Sequence, residues 1–449
     1  MSSRQDVRRA HLNATTLTAG LWLFLLLGVL APNVVLWAAA PAPYNETALH
    51  HTWDVLHGRS VDDSWGVMMS AVDYLKATPD AGAVYSELFF NRGQRFQYPL
   101  SSLFALEGML HVAGVDYVRT NKHAIYQTLT INDALGWMFI ALGFAATFAL
   151  LERLLRQAGL QDDRRLLVVL RAIAVLGLSL TFYPIVKAYT LGQIQVWINA
   201  VFALALLLWA RGQGAASGFL IGAVTLIKPH FGLFLAWAAL RRELSFAVAF
   251  AITVAIGLAV SLAVYGLANH LDYFRVLRVL SESGELYYPN QSVNGVLNRL
   301  LSLSDPATYN SVDFSSRAPY NFWVRATTLA AAAFFLLLGF LARTPDSETG
   351  RARDFAIMGL CITLASPVAW EHHYGITLPM FALLLVTGNR RHLIWLAASY
   401  VLIAVYLPLT NLLAATPMNV AQSTLLVGAL ILLALLSRSW PNEERLHLK

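Results

Sequence analysis

Apolar residues in this chain come in charge-poor runs of about 12 to 28 residues along nearly the whole length, most of them long enough for membrane-crossing helices. The runs fall at Thr16–Ala40, Ala124–Leu151, Leu166–Val186, Ile194–Ala210, Phe246–Ala268, Phe322–Ala342, Phe355–Trp370, Ile376–Thr387, Leu393–Leu409 and Ser423–Leu436. Shorter apolar stretches occupy Leu100–Val115 and the segment between Arg211 and Arg241. The pattern predicts a single all-α polytopic membrane domain spanning residues 1–449.

Lys and Arg collect on the cytoplasmic side of such proteins, so basic residues orient the spans. Arg4, Arg8 and Arg9 precede the first run. That run is too long for a cleaved signal region of about 7–15 residues, so it reads as a retained span. A first outer loop, residues 41–123, follows, and Leu100–Val115 with its Glu107 and His111 reads as an interfacial or re-entrant helix within it. Arg153, Arg156, Arg164 and Arg165 then mark the inside. Arg211 to Arg241 holds only about 30 residues, whereas two full crossings need about 40. One kinked crossing would scatter the later basic loops to both sides, so a hairpin of two short helices is expected, turning at Lys228-Pro229-His230. A second outer loop covers 269–320. The count comes to about twelve membrane helices, with both termini cytoplasmic.

Composition agrees: 57% of positions are hydrophobic and 13% charged, against about 25% charged in soluble domains. The net charge of +6 is accounted for by basic inner loops and does not call for nucleic acid. With a single cysteine, Cys361, no disulfide or thiolate metal site is available.

Polar residues cluster in four places. Asp62 and Asp63 lie beside Trp65 in the first outer loop, followed by Arg92, Arg95 and Tyr98. Adjacent aspartates of this kind suit a general base with a neighbour, or a plain helix cap. Lys228 lies deep in the apolar zone, where a cation needs a polar cavity, an anion, or a buried acid such as Glu107. Glu371, His372 and His373 sit between two spans at the outer side. Their spacing matches no metal motif, which favours phosphate or hydroxyl binding over zinc. Asn290, Gln291 and Asn294, next to Tyr287 and Tyr288, are amides that both donate and accept, as sugar hydroxyls require. Arg171 and Arg325 lie inside apolar runs and call for internal partners.

Taken in order, these pieces resemble glycosyltransferase family 87 of the GT-C superfamily, with its polyprenyl-phosphomannose-dependent members. The shared pieces are Asp63 followed by Ser70-Ala71, Tyr98-Pro99-Leu100, Gly192-Gln193, Leu226-Ile227-Lys228-Pro229-His230, Asn290 to Gly295, and Ser366-Pro367 through His372-His373. The doubled aspartate and the Val67-Met68 pair depart from the family pattern. The resemblance implies a GT-C-like bundle in a bacterial plasma membrane. It also implies an inverting hexosyl transfer, with mannose as the expected sugar, from a polyprenyl-phosphate sugar to a lipid or glycan acceptor at the outer face. Asp63, or Asp62 beside it, would be the base. Lys228, His372 and His373 would hold the donor phosphate, and Asn290, Gln291, Asn294, Glu371, Tyr98, Arg95 and Gln193 the sugar or acceptor. No cofactor is called for, since the donor is already activated. The competing readings are a flippase or transporter for polyprenyl-linked glycans, and a polymerase acting on them; the chain shows no internal repeat of the kind many transporters have.

Overall fold

A computed structural model describes residues 13–40, 46–78, 83–114, 122–160, 164–302, 318–342, 344, 347–387 and 390–438. Among these residues every regular element is helical, and the sole β-contact is an isolated antiparallel bridge between Asn290 and Trp370. The first span runs from α1 (Ala14–Leu23) through a π-turn at Phe24–Leu30 into α2 (Ala31–Ala39). Three helices, α3 (Ala48–Leu56), α4 (Asp63–Ala77) and α5 (Leu103–Val112), precede the long α6 (Lys122–Gln157). Then come α7 (Arg165–Leu180), α8 (Tyr183–Thr190), α9 (Gln195–Ala210), α10 (Gly214–Thr225), α11 (Leu233–Arg241) and α12 (Leu244–Tyr265). The remainder is α13 (Leu267–Ser283), α14 (Val293–Ser302), α15 (Phe322–Leu341), α16 (Glu348–Ala365), α17 (Leu378–Thr387), α18 (Arg390–Ala404) and α19 (Thr424–Ser437).

By length and composition four helices can cross a membrane: Ala14–Ala39, Leu129–Gln157, Leu244–Tyr265 and Phe322–Leu341. A fifth crossing counts if the bent pair α7–α8 is one span. The other apolar helices, such as Gln195–Ala210 and Thr424–Ser437, are shorter. Burial separates two kinds of helix. On α12, Val248, Ile252, Ile256, Val260 and Val264 recur every fourth residue and are all exposed, so one face of this helix is a lipid-facing stripe. The central α9 is buried on nearly every side.

The Lys228 hairpin is present. Gly214, at the start of α10, lies against Ser245, just after the end of α11, and Trp209 packs on Trp237 with ring centroids 5.2 Å apart. The two ends of the α10–α11 segment therefore meet. Gly214, Gly218 and Gly222 repeat every fourth residue along the face of α10 that meets α12; a Cβ on Gly218 would come within 2.3 Å of the Phe246 carbonyl oxygen. Small residues at this spacing let the two backbones approach closely. Proline at 229 has no N–H to offer the helix, and the chain there forms a 3₁₀ turn, Pro229–Gly232.

The apolar run expected to span at Leu166–Val186 is a bent pair of helices. The chain bends by 57° between α7 and α8, with Pro184 in the first turn of α8, where a missing N–H costs nothing. The buried Arg171 finds its acid: it forms a forked pair with Glu152 at 2.7 and 3.0 Å. Arg325 stacks near the ring of Tyr320. Glu107 accepts a hydrogen bond from Tyr265 at 2.8 Å, and among the described residues Lys228 contacts His373 and forms no ion pair with Glu107.

Candidate functional site

The aspartate turn is docked by backbone. Val61 N donates to Thr190 O at 2.9 Å, Asp63 N to Leu191 O at 3.0 Å, and Ser64 N to Gly192 O at 3.4 Å. This close approach depends on glycine. Gly192 has φ +62°, and a Cβ there would sit 1.7 Å from the Val61 carbonyl oxygen.

Side chains complete the dock. Ser64 Oγ donates to Gln193 Oε1 at 2.7 Å, and Tyr98 OH donates to the same oxygen at 3.1 Å. Ser64 Oγ and Tyr98 OH are themselves 2.8 Å apart, and Ile194 N donates to Ser64 Oγ at 3.2 Å. With its oxygen taken by two hydroxyls, the Gln193 amide has to turn its NH₂ group outward. That group donates to Asp63 Oδ2. Gln193 and Tyr98, expected to meet sugar, are both part of the network that holds the aspartate. Asp63 and Asp62 are both exposed, but Asp63 is the one gripped.

Although the surface of Asp63 reaches solvent, protein crowds its flank, and this desolvation raises its pKa above the ordinary carboxylate value. The Gln193 hydrogen bond opposes the rise, the charge of Asp62 adds to it, and the charges of Arg95 and Lys187 oppose it. Burial, followed by the nearby Asp63 charge, also raises the Tyr98 phenol, so Tyr98 stays protonated as a donor. Arg95 forms an ion pair with Glu285 at 3.3 Å.

A second group forms around the 3₁₀ segment Glu371–Thr377. The expected surface loop is in fact built into the interior: Glu371 and His372 are buried. Lys228 Nζ contacts His373 Nε2. The rings of His372 and His373 are close to perpendicular, with centroids 4.8 Å apart. Tyr183 OH donates to Glu371 Oε2 at 2.7 Å.

The amide segment lies against this group but is turned inward. Asn290 receives Ala369 N at 3.0 Å and donates to Glu285 O at 3.0 Å. Gln291 Nε2 donates to Tyr288 O and Gln422 O at 2.7 and 2.8 Å. Asn294 accepts from Glu285 N at 3.2 Å and Asn298 at 2.8 Å, and donates to Thr328 at 3.2 Å. The Asn290 side chain ties this segment to residues 367–369, whereas the Gln291 and Asn294 side chains bond elsewhere in the protein, and Gln291 Oε1 keeps its accepting capacity.

One element ties the two groups together. Helix α8 begins at Tyr183, which holds Glu371, and its far end, Thr190 to Gln193, holds the aspartate turn. A helix of that length spans about 10 Å at 1.5 Å per residue. Between the two ends stands Lys187, half-buried and outside the four polar clusters of the sequence. The rule that picked out Lys228, a lysine within an apolar stretch, applies equally to Lys187, next to Pro184 and Val186.

Among the described residues no group of three or more His, Cys, Asp and Glu could hold a metal ion. No curated protein and no solved structure matches this chain. The sequence profile of glycosyltransferase family 87 matches residues 125–367, more than half the chain. The matched stretch carries Lys187, Gly192-Gln193, Lys228 and the 290–295 amides, while the aspartate pair and the histidine pair flank it on either side. By this match the chain, an all-helical protein with several membrane-spanning candidates, belongs to glycosyltransferase family 87.

Proposed function

We propose that the protein transfers a sugar, mannose by the family resemblance, from a polyprenyl-phosphate donor to a hydroxyl of a lipid or glycan acceptor at the outer membrane face, with inversion at the anomeric carbon. The observation that carries this reading is the joining, by one short helix, of a gripped carboxylate at Asp63 to the Lys228–His372–His373 group.

In this mechanism Asp63 takes the proton from the acceptor hydroxyl as that oxygen attacks the anomeric carbon. The bond from the anomeric carbon to the phosphate oxygen breaks, and its electron pair leaves with the polyprenyl phosphate. A positioned base contributes about 10²- to 10⁴-fold. Charge grows on the leaving phosphate, where Lys228 and the histidine pair act, since preorganised donors are worth most where charge develops. The donor is activated, so neither a nucleotide nor a cofactor enters the scheme. The Lys/Arg pattern of the loops supports cytoplasmic termini and an outer site in a bundle of about twelve membrane helices. A cysteine placed at position 242 in a Cys361→Ala background should then react only with reagents supplied from inside.

The direct experiment is incubation of purified protein with labelled polyprenyl-phosphate mannose and a membrane acceptor extract. Labelled product, with the donor KM raised about tenfold in Lys228→Met, is the expected outcome, a loss of 1.4 kcal/mol being a factor of ten. Labelled donor returned unchanged by active-folded protein would sink the reading.

The pH profile offers a separate check. Gln193→Leu removes a hydrogen bond that favours ionised Asp63, so its pKa rises and the acid limb of kcat/KM moves to higher pH. Asp62→Asn removes a like charge, so the limb moves to lower pH. Shifts in the same direction would show that another group titrates.

A further inference from the structure

Lys187 projects from the middle of α8, one turn after Tyr183 and one turn before Thr190, positions that share a helix face. Tyr183 donates to Glu371, and Thr190 Oγ1 lies 3.0 Å from His51 Nδ1. The Lys187 ammonium group acts electrostatically on Asp63, Glu371, His372 and His51. Yet among the described residues no carboxylate comes within ion-pairing distance of it, and it forms no side-chain hydrogen bond there. Glu371, the nearest buried acid in this group, is already held by Tyr183. A half-buried lysine at a helix bend, in a site with two acids neither of which it pairs with, has its donors free for an anion that arrives from outside.

We propose that Lys187 binds the phosphate of the lipid donor, between the Asp63 turn and the Glu371–His373 segment. The inference rests on the lipid-phosphate reading above and adds a second cation to Lys228. The chemistry asks for one. When the bond from the anomeric carbon to phosphate oxygen breaks, the electron pair goes to that oxygen, and a singly charged phosphodiester becomes a monoester carrying a second negative charge, while the acceptor proton goes to Asp63. A cation beside that oxygen holds the departing group more tightly than the bound donor, which lowers the barrier and not merely the donor KM.

The test uses the full-length protein in detergent, with farnesyl phosphate as the probe and farnesol as the uncharged control. Lys187→Met should weaken farnesyl phosphate at least tenfold and leave farnesol unchanged. Lys187→Arg should keep most of the phosphate affinity. Lys187→Gln, which keeps a polar end without the charge, should behave as Lys187→Met and serves if the methionine variant melts early. Wild-type phosphate affinity in both neutral variants would overturn the assignment. Equal losses for phosphate and alcohol would also overturn it, by showing that Lys187 shapes the fold. If the wild-type protein bound farnesyl phosphate no better than farnesol, the lipid-phosphate reading itself would fall, and this inference with it.

Discussion

Asp63→Asn should lower turnover by about 10²-fold or more while leaving expression, melting temperature and donor affinity close to wild type. An asparagine side chain keeps an oxygen that can accept from Gln193 Nε2, so the turn stays docked, and what disappears is the capacity to take a proton. A hundredfold loss corresponds to about 2.7 kcal/mol on the barrier. Asp62→Asn should retain most activity, because among the described residues nothing grips the Asp62 carboxylate as Gln193 grips that of Asp63. Steady-state rates of the two variants decide between them. An inactive Asp62→Asn beside a fully active Asp63→Asn would move the base by one residue, and wild-type rates in both would end the catalytic-aspartate mechanism.

Gly192→Ala is expected to be as damaging from a site that touches no substrate. Two effects combine. A positive φ costs an L-residue roughly 1–2 kcal/mol, and the new Cβ would meet the Val61 carbonyl oxygen at 1.7 Å. That oxygen belongs to backbone and cannot swing aside as a side chain could. Val61 and Asp63 therefore have to lift away from Thr190 and Leu191, giving up the hydrogen bonds between them. Displacing a reacting group by about 1 Å costs about 10²-fold in rate, so turnover should fall at least that far, and the melting temperature should fall with it. Gly212→Ala provides the control, since Gly212 also has positive φ, +75°, but has open space where its Cβ would go. It should lose a little stability and no activity. Equal behaviour of the two variants in a melting and turnover series would dismiss the docking role.

The legible parts of this protein are those set by local rules. Lys228 could be placed in a buried turn because proline at 229 cannot continue the ladder and a lysine among apolar residues needs a polar companion. The companion, His373, lies 145 positions further along the chain, and no local pattern indicates it. The 290–295 amides show the limit from the other side. Their chemistry fits sugar hydroxyls, but it fits backbone carbonyls equally, and residue type alone does not say which partner arrives first. Gln193 is a third case: the resemblance marks it, while its task of pointing an N–H at Asp63 follows from two hydroxyls on its oxygen contributed by residues 64 and 98.

The sequence by itself determined the membrane class, the all-helical architecture, the turn at Pro229 and the family resemblance that the profile match bears out. Each follows from composition, from runs long enough to cross lipid, from proline, or from short motifs in a set order, all of which act over a few residues. The tertiary structure decided which aspartate is gripped, that the chain bends by 57° before α8, and that Lys187 stands between the two groups that α8 connects. Those outcomes depend on contacts between residues more than a hundred positions apart, such as Asp63 with Gln193 and Tyr183 with Glu371. Such contacts are selected by the packing of the whole bundle, and a one-dimensional pattern of apolar and polar positions carries no record of them.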